Sequence, residues 1–411
     1  MNIGVFLPEV GNAKVGGVYY YNKMLLGELF RSNTKHVIYL VVHKRTDIPA
    51  TFLKEIDCHS EVIAISEFTF SSLFLKIAQR VFRKSLFPAI HKLIQREVKL
   101  LNTEKLNQKK IQFMYHLTEG QCISDSIPFS TNVWDLGHLY APYFVEVGGN
   151  GEFELRHERF AATLPKSSVI FAESEMGRKD ISFYYNIDPQ KIKVLPMFPG
   201  SVVQEKATEE EQSVFLGKNS IQKDQFIFYP AQLWSHKNHC TLLKALQILI
   251  KVKKVHNLSL VLTGSDKGNL GYLNEMISSF GISENVKFLG FVSLQEAYIL
   301  YKNALALTYV SSLGPTNMPL VEAAQIGCPV ICTDIGGHRE QLGDNALYFK
   351  SVDAHLLAEA IFKIYSDEQF RIKLRDNAQQ FVLNGNNNAS YCAKKVIEFF
   401  DEFEPIRSSW R

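Results

Sequence analysis

Short apolar runs recurring between helical stretches constrain this chain more than any other feature. In the second half the runs are Phe226–Pro230, Leu258–Thr263, Val286–Leu289, Ala304–Thr308 and Pro329–Thr333. In the first half they are Ile3–Leu7, Val37–Val42, Ser168–Ala172 and Ile192–Pro196, with helical patterns at Tyr19–Phe30 and Glu175–Tyr185. Uninterrupted apolar strands alternating with helices predict parallel sheets covered on both faces, an α/β fold class. A single core rarely serves 411 residues, so two domains are expected. The polar stretch Val203–Gln222, centred on Lys206-Ala207-Thr208-Glu209-Glu210-Glu211, marks their connection. The expected units are therefore 1–200 and 201–385, followed by a closing helix within 386–411 after the break at Asn384–Asn388. Two doubly wound sheets in tandem turn the carboxyl ends of their strands towards a shared cleft, where ligands of such folds bind.

Composition narrows the function. Apolar residues make up 46% and charged residues 21%, which excludes a disordered chain. A net charge of +3 over this length argues against a nucleic-acid partner, which calls for a strongly basic domain. The six cysteines, Cys58, Cys122, Cys240, Cys328, Cys332 and Cys392, form no CxxC and no dense framework, so free thiols in a cytoplasmic protein are expected. The opening Met1-Asn2-Ile3-Gly4-Val5-Phe6-Leu7-Pro8 lacks a signal-peptide pattern, and no window is apolar for long enough to span a bilayer.

Two stretches carry chemistry. The first, Ser311 to Val330, leaves a strand, turns at Gly314-Pro315, starts a helix around Pro319 and ends it at Gly327. Free amides at such a helix start can hold an anion or sugar oxygens. Glu322, expected in the first helical turn, can serve the helix dipole or accept two hydroxyl hydrogen bonds from a ribose. The second, Tyr229 to His239, leaves a strand ahead of the helical pattern Leu242–Lys251 and presents Lys237. Taken alone, Lys237 reads more readily as a solvated lysine than as a ligand-binding cation. His236, His239 and Cys240 offer two imidazoles and a thiol, but structural zinc takes four ligands and no second pair lies nearby, so no metal is expected.

Continued through Ile331-Cys332-Thr333-Asp334-Ile335-Gly336-Gly337-His338-Arg339-Glu340, the first stretch resembles the donor-binding signature of the retaining glycosyltransferase family 4. The match is to a bacterial branch with a Gly-Pro-Thr-Asn donor loop. This resemblance implies a GT-B fold of two Rossmann-like domains, with the closing helix packed back on the N-terminal one. It also implies a nucleotide-diphosphate sugar as donor, with no metal or other cofactor. Two glutamates eight residues apart flank the loop in that family; here the later is Glu322, which by resemblance binds the ribose, and the earlier position is Gly314. Pro315, Thr316 and Asn317, through the amides of the last two and the Asn317 side chain, would take over the sugar contact. Lys237 would neutralise the diphosphate, and Gln232 stands where the family has a companion arginine.

The resemblance extends into the first half. Gly16-Gly17 corresponds to a glycine pair facing the donor diphosphate and acceptor, although a plain tight turn explains it equally. The segment Asp135-Leu136-Gly137-His138-Leu139-Tyr140-Ala141-Pro142 resembles the family's acceptor-side stretch, making His138 and Asp135 candidate catalytic groups; a lone histidine is also compatible with a structural role. Ser174 reads as a helix N-cap. Residues 73–101 carry Lys76, Arg80, Arg83, Lys84, Lys92, Arg96 and Lys99 against the single acid Glu97. That pattern fits either contact with an anionic membrane face or a pair of helices completing the core. The expected activity is hexosyl transfer, with a mannosyl or deoxyhexosyl donor, to a glycan or lipid-linked acceptor in bacterial surface polysaccharide or lipopolysaccharide assembly. The alternatives are a nucleotide-sugar epimerase of the same architecture and a donor-binding protein without activity, which the departures at Gly314 and Gln232 bring into view.

Overall fold

The computed structural model describes residues 1–8, 17–44, 48–66, 87–119 and 122–410. Gly16 and residues 73–86 of the basic segment lie outside the described residues. Strands β1 (Asn2–Phe6), β2 (Val37–His43), β3 (Ile63–Ile65), β4 (Phe113–His116), β5 (Phe129–Val133), β6 (Val169–Ala172) and β7 (Ile192–Val194) form one sheet, ordered β3-β2-β1-β4-β5-β6-β7. Strands β8 (Phe226–Pro230), β9 (Ser259–Thr263), β10 (Val286–Phe288), β11 (Ala306–Tyr309), β12 (Val330–Thr333) and β13 (Leu347–Phe349) form the second, ordered β10-β9-β8-β11-β12-β13. Neighbouring strands are parallel throughout. Each order reverses once, between β1 and β4 and between β8 and β11. Such a reversal splays the loops at the carboxyl ends and opens a crevice for ligands.

The two α/β units are thus Rossmann-like, as the alternation of apolar runs implied. Strand β13 was not legible in that alternation, because its three residues form no extended apolar run. Helix Gly17–Arg31 packs on the first sheet through Tyr21, Leu25, Leu26 and Leu29, a spacing that keeps one helical stripe apolar. The terminal helix Ala389–Ser408 returns from the second domain to the first. There Phe399, Phe400 and Phe403 surround Phe113 of β4, with ring centroids 5.0–5.8 Å away in edge and tilted arrangements. Glu402 and Glu404 of the same helix pair with Lys193 and with the amino group of Met1. All six cysteines are free. Among the described residues no helix is long and apolar enough to cross a membrane.

Candidate active site

The loops that follow β8 and β11 meet where the second sheet reverses. After β8 the chain is held straight by Ala231 N donating to Thr263 O (3.1 Å) and Leu233 N to Ser265 O (3.0 Å). It then tightens into a 3₁₀ turn, Ser235–Lys237, that ends at Asn238 in the left-handed region. The Tyr229 hydroxyl donates to the Lys237 carbonyl at 2.7 Å, and Ser312 N donates to the His236 carbonyl at 2.8 Å. The backbone of Lys237 is therefore fixed from the strand below and from the neighbouring loop.

After β11 the chain turns at Gly314, whose φ of +96° lies where side chains are disfavoured. Glutamate at this position would be strained, so the glycine is a requirement of the turn. The helix that follows begins at Met318, one residue before the expected start, with Pro319 in its first turn and no side chain capping it. Asn317 is extended and turned inward instead. Its amide donates to Gln341 Oε1 (2.9 Å), Gln341 Nε2 returns a bond to the Asn317 carbonyl (3.0 Å), and its side chain meets Tyr309 and His338. The Asn317 groups expected to face a sugar are thus engaged within the protein. Thr316 differs: its hydroxyl is buried and has no hydrogen-bond partner among the described residues.

Starting at Met318 also moves Glu322 to the fifth helical position, beyond the first turn, where a dipole role was expected. Its carboxylate accepts from the Tyr301 hydroxyl (2.8 Å) and, across the domain boundary, from Gly200 N (3.1 Å). Burial pushes the Glu322 carboxyl up to about 7, against the pull of these two donors.

A cavity of about 440 Å³ lies between the domains. From the second domain Gln232, Lys237, Gly314, Thr316 and Asn317 line it, and from the first Gly17, Trp134 and Asp135. Of the residues expected from the sequence, the structure brings seven together here, all of those just named except Trp134, whereas Pro315 is not among the lining residues and Glu322 faces the Gly200 crossing beside them. Gln232 accepts from the Trp234 indole at 3.0 Å. Lys237 Nζ donates to the Tyr309 hydroxyl oxygen at 3.1 Å and lies 5.4 Å from that ring's centre, with no carboxylate pairing it among the described residues.

On the first-domain wall, Asp135 accepts from Gly137 N (2.7 Å) and from Arg156 (3.1 Å). Arg156 also approaches Glu119 at 3.5 Å, and burial, aided by Asp135, pushes the Glu119 carboxyl up to about 7. His138 does not reach the cavity. It is fully buried, its Nε2 lies 3.2 Å from the Tyr185 hydroxyl, and burial followed by nearby Arg156 lowers it to about 4, so it is a neutral packing histidine. His236, His239 and Cys240 form no ligand cluster among the described residues. His236 instead bonds Glu146 of the first domain, through its backbone N at 2.9 Å and its ring Nδ1 at 2.7 Å.

Sequence reasoning missed the residues that close the two domains on each other. Besides Glu146, Glu340 accepts from the amides of Glu175 (2.7 Å) and Met176 (2.8 Å), alongside the expected Ser174 cap, whose hydroxyl accepts from Gly177 N. A carboxylate at a helix start borrowed from another domain ties the lobes together. Glu340→Ala should therefore lower stability by about 1 kcal/mol, read as a drop of a few degrees in the midpoint of thermal unfolding. Glu173, at the end of β6, is also buried with both carboxyl oxygens unpartnered; burial and then Asp135 raise it well above the usual range. A carboxylate that pairs only in the folded chain, as Glu146 and Glu340 do, leaves no local periodicity from which its role could be read.

Within the basic segment, the described part is the start of helix Phe87–Gln108. Lys99 there pairs with Asp125 at 2.8 Å, while Leu100 and Leu101 are exposed.

Residues 211–381 match the family model of glycosyl transferases group 1. The O-antigen chain mannosyltransferase RfbU of Salmonella typhimurium is 30% identical over 191 residues, 46% of this chain and 48% of that protein. An uncharacterized glycosyltransferase of Methanocaldococcus jannaschii is 26% identical over 53% of this chain and 56% of its own length. The chain spans about half the length of these curated relatives. Among solved structures, Anabaena HepE in complex with UDP and glucose superposes with a TM-score of 0.69 at 17% identity, covering 98% of this chain and 100% of that one. WaaG, a glycosyltransferase involved in lipopolysaccharide biosynthesis, superposes at 0.67 and 14% identity over 97% and 99%. The chain therefore has the GT-B fold of glycosyltransferases, with a glycosyl transferases group 1 domain at residues 211–381.

Proposed function

We propose that this chain is a retaining hexosyltransferase that draws its sugar from a nucleotide diphosphate. One observation carries the reading: Lys237, which no carboxylate among the described residues pairs, and Thr316, whose buried hydroxyl has no partner among them, line the same interdomain cavity beside a helix start without a side-chain cap. A cation and open donors at that place suit a diphosphate, which gains negative charge as it leaves the sugar. Glu322 sits on the far side of Met318 and would accept from the ribose hydroxyls, exchanging its bond from Gly200 or sharing its free lone pairs.

In the reaction, the bond between the anomeric carbon and the phosphate oxygen breaks while the acceptor oxygen bonds to that carbon from the same face. The acceptor proton passes to a departing phosphate oxygen. Lys237 and the loop donors stabilise the leaving group without a metal, and Asp135, held by Arg156, orients the acceptor hydroxyl. His138 takes no direct part and keeps Tyr185 and the acceptor wall in place. The names of the matched O-antigen mannosyltransferase and of WaaG favour a mannosyl donor and bacterial surface polysaccharide or lipopolysaccharide assembly; a deoxyhexosyl donor and a glycan or lipid-linked acceptor at the inner membrane face are the other members of the same proposal. The basic segment 73–101 would bring the chain to that face.

The test is incubation of the protein with UDP-, GDP- and dTDP-sugars, first alone and then with a glycan array. Stabilisation by one donor and transfer to an acceptor with an unchanged anomeric configuration are expected. Isomerised donor without transfer would make the protein an epimerase, and stabilisation without any reaction a binding protein. Ionisation of Glu322 adds a pH signature. Because its carboxyl is raised to about 7, the acceptor form grows between pH 6 and 8, so nucleotide affinity should rise roughly fivefold to tenfold over that range. Glu322→Gln should flatten the rise. The empty protein responds in the opposite sense: the contribution of the raised group is complete below its unfolded value and is lost as pH climbs through about 7. Affinity that is flat with pH in the native protein would remove Glu322 from the ribose site.

A further inference from the structure

A chain of hydrogen bonds runs beneath the donor loop from His338 to Lys237. His338, at the start of helix Gly336–Leu342, is fully buried. Its Nδ1 lies 2.8 Å from the Thr333 carbonyl, which can only accept, so Nδ1 carries the proton. Its Nε2 is then an acceptor, and it faces the Asn317 side-chain nitrogen at 2.8 Å. That contact turns the Asn317 oxygen towards Tyr309, whose hydroxyl donates to it at 2.8 Å. With its single proton committed, the Tyr309 oxygen has only lone pairs left, and Lys237 Nζ donates to it at 3.1 Å. Every link has one allowed direction once the first is set. Tyr309 and Asn317 are themselves buried, so water competes little for these bonds.

We propose that His338 is a positioning residue for the donor site: through Asn317 and Tyr309 it aims the Lys237 ammonium into the cavity using neutral partners only. The inference rests on the reading of Lys237 as the diphosphate cation. Its physical content is that a lysine held by a carboxylate would arrive with its charge already compensated, whereas one held by a phenol oxygen keeps its full charge for the ligand. The same chain pins Asn317, and with it the turn that presents Thr316. Burial favours the neutral imidazole on which the directions depend, lowering His338 to about 4.

Two measurements test this. In ¹⁵N-histidine-labelled full-length protein, assigned by comparison with His338→Gln, the His338 ring should appear at pH 7 as the neutral tautomer protonated on Nδ1. An Nε2-protonated or charged ring would overturn the proposal whatever the binding measurements give. In calorimetry with UDP and GDP as probes, Tyr309→Phe and His338→Leu should each weaken binding about tenfold, with His338→Gln closer to the native protein. Combined with Lys237→Ala, Tyr309→Phe should cause no further loss, since it acts through that ammonium. Equal losses in both backgrounds, or none in the native background, would sink the positioning role while leaving the donor site standing. Unchanged binding in Lys237→Ala, or no binding of either probe by the native protein, would instead overturn the donor reading on which this inference depends.

Discussion

Lys237→Ala should slow sugar transfer roughly 10²–10³-fold, the range measured when one preorganised electrostatic group is removed from a developing anion. The expectation follows from what the lysine lacks. Its ammonium touches a phenol oxygen and a ring face, and no carboxylate among the described residues shares its charge. Gln232, where a second cation would add to it, contributes only a neutral amide. Most of the formal positive charge at this wall therefore resides on one atom. The loss should be greater in kcat than in KM, because the diphosphate carries more charge leaving than bound to the sugar. Steady-state kinetics on the donor identified by the panel would show it. A change confined to KM would mean that Lys237 binds the ground state only.

Gly337→Ala should be nearly as damaging, although residue 337 lines no part of the cavity. A methyl group built on Gly337 would lie 1.8 Å from the Pro315 carbonyl oxygen, a backbone atom that cannot rotate away. Either the donor turn moves or the helix carrying His338 does. Overpacking of this kind costs about 1–3 kcal/mol, and a displacement near 1 Å at the site can cost about 10²-fold in rate. The variant should unfold several degrees below the native protein and show a similarly large fall in nucleotide affinity. Native-like affinity would mean that the loop reaches its ligand by a path independent of the Pro315–Gly337 contact.

Much of the fold was legible because a parallel strand covered on both faces must be continuously apolar, and runs such as Phe226–Pro230 and Val169–Ala172 have no other reading between helices. Short, half-buried β13 escaped for the same reason. Lys237, Gly314 and Thr316 could be named because one contiguous turn carries each motif, and local spacing survives in the sequence. His138 shows the limit: the segment that contains it matches a pattern, yet its ring turns into the packing around Phe160 and Tyr185 rather than towards the cavity. Asn317 was similarly named for a sugar contact, whereas its side chain is turned inward onto Tyr309 and His338.

By itself, then, the sequence determined two doubly wound sheets, their order along the chain and the turns that reach the cleft, since strand burial, helix stops and glycine turns are written in neighbouring residues. Tertiary structure alone decided which side chains do what there. The sequence separations of 21 from Asn317 to His338, 165 from Glu175 to Glu340 and 90 from Glu146 to His236 are closed only by folding. The direction of a hydrogen bond, or the burial that keeps an imidazole neutral, is a property of the assembled surroundings and has no periodicity to read.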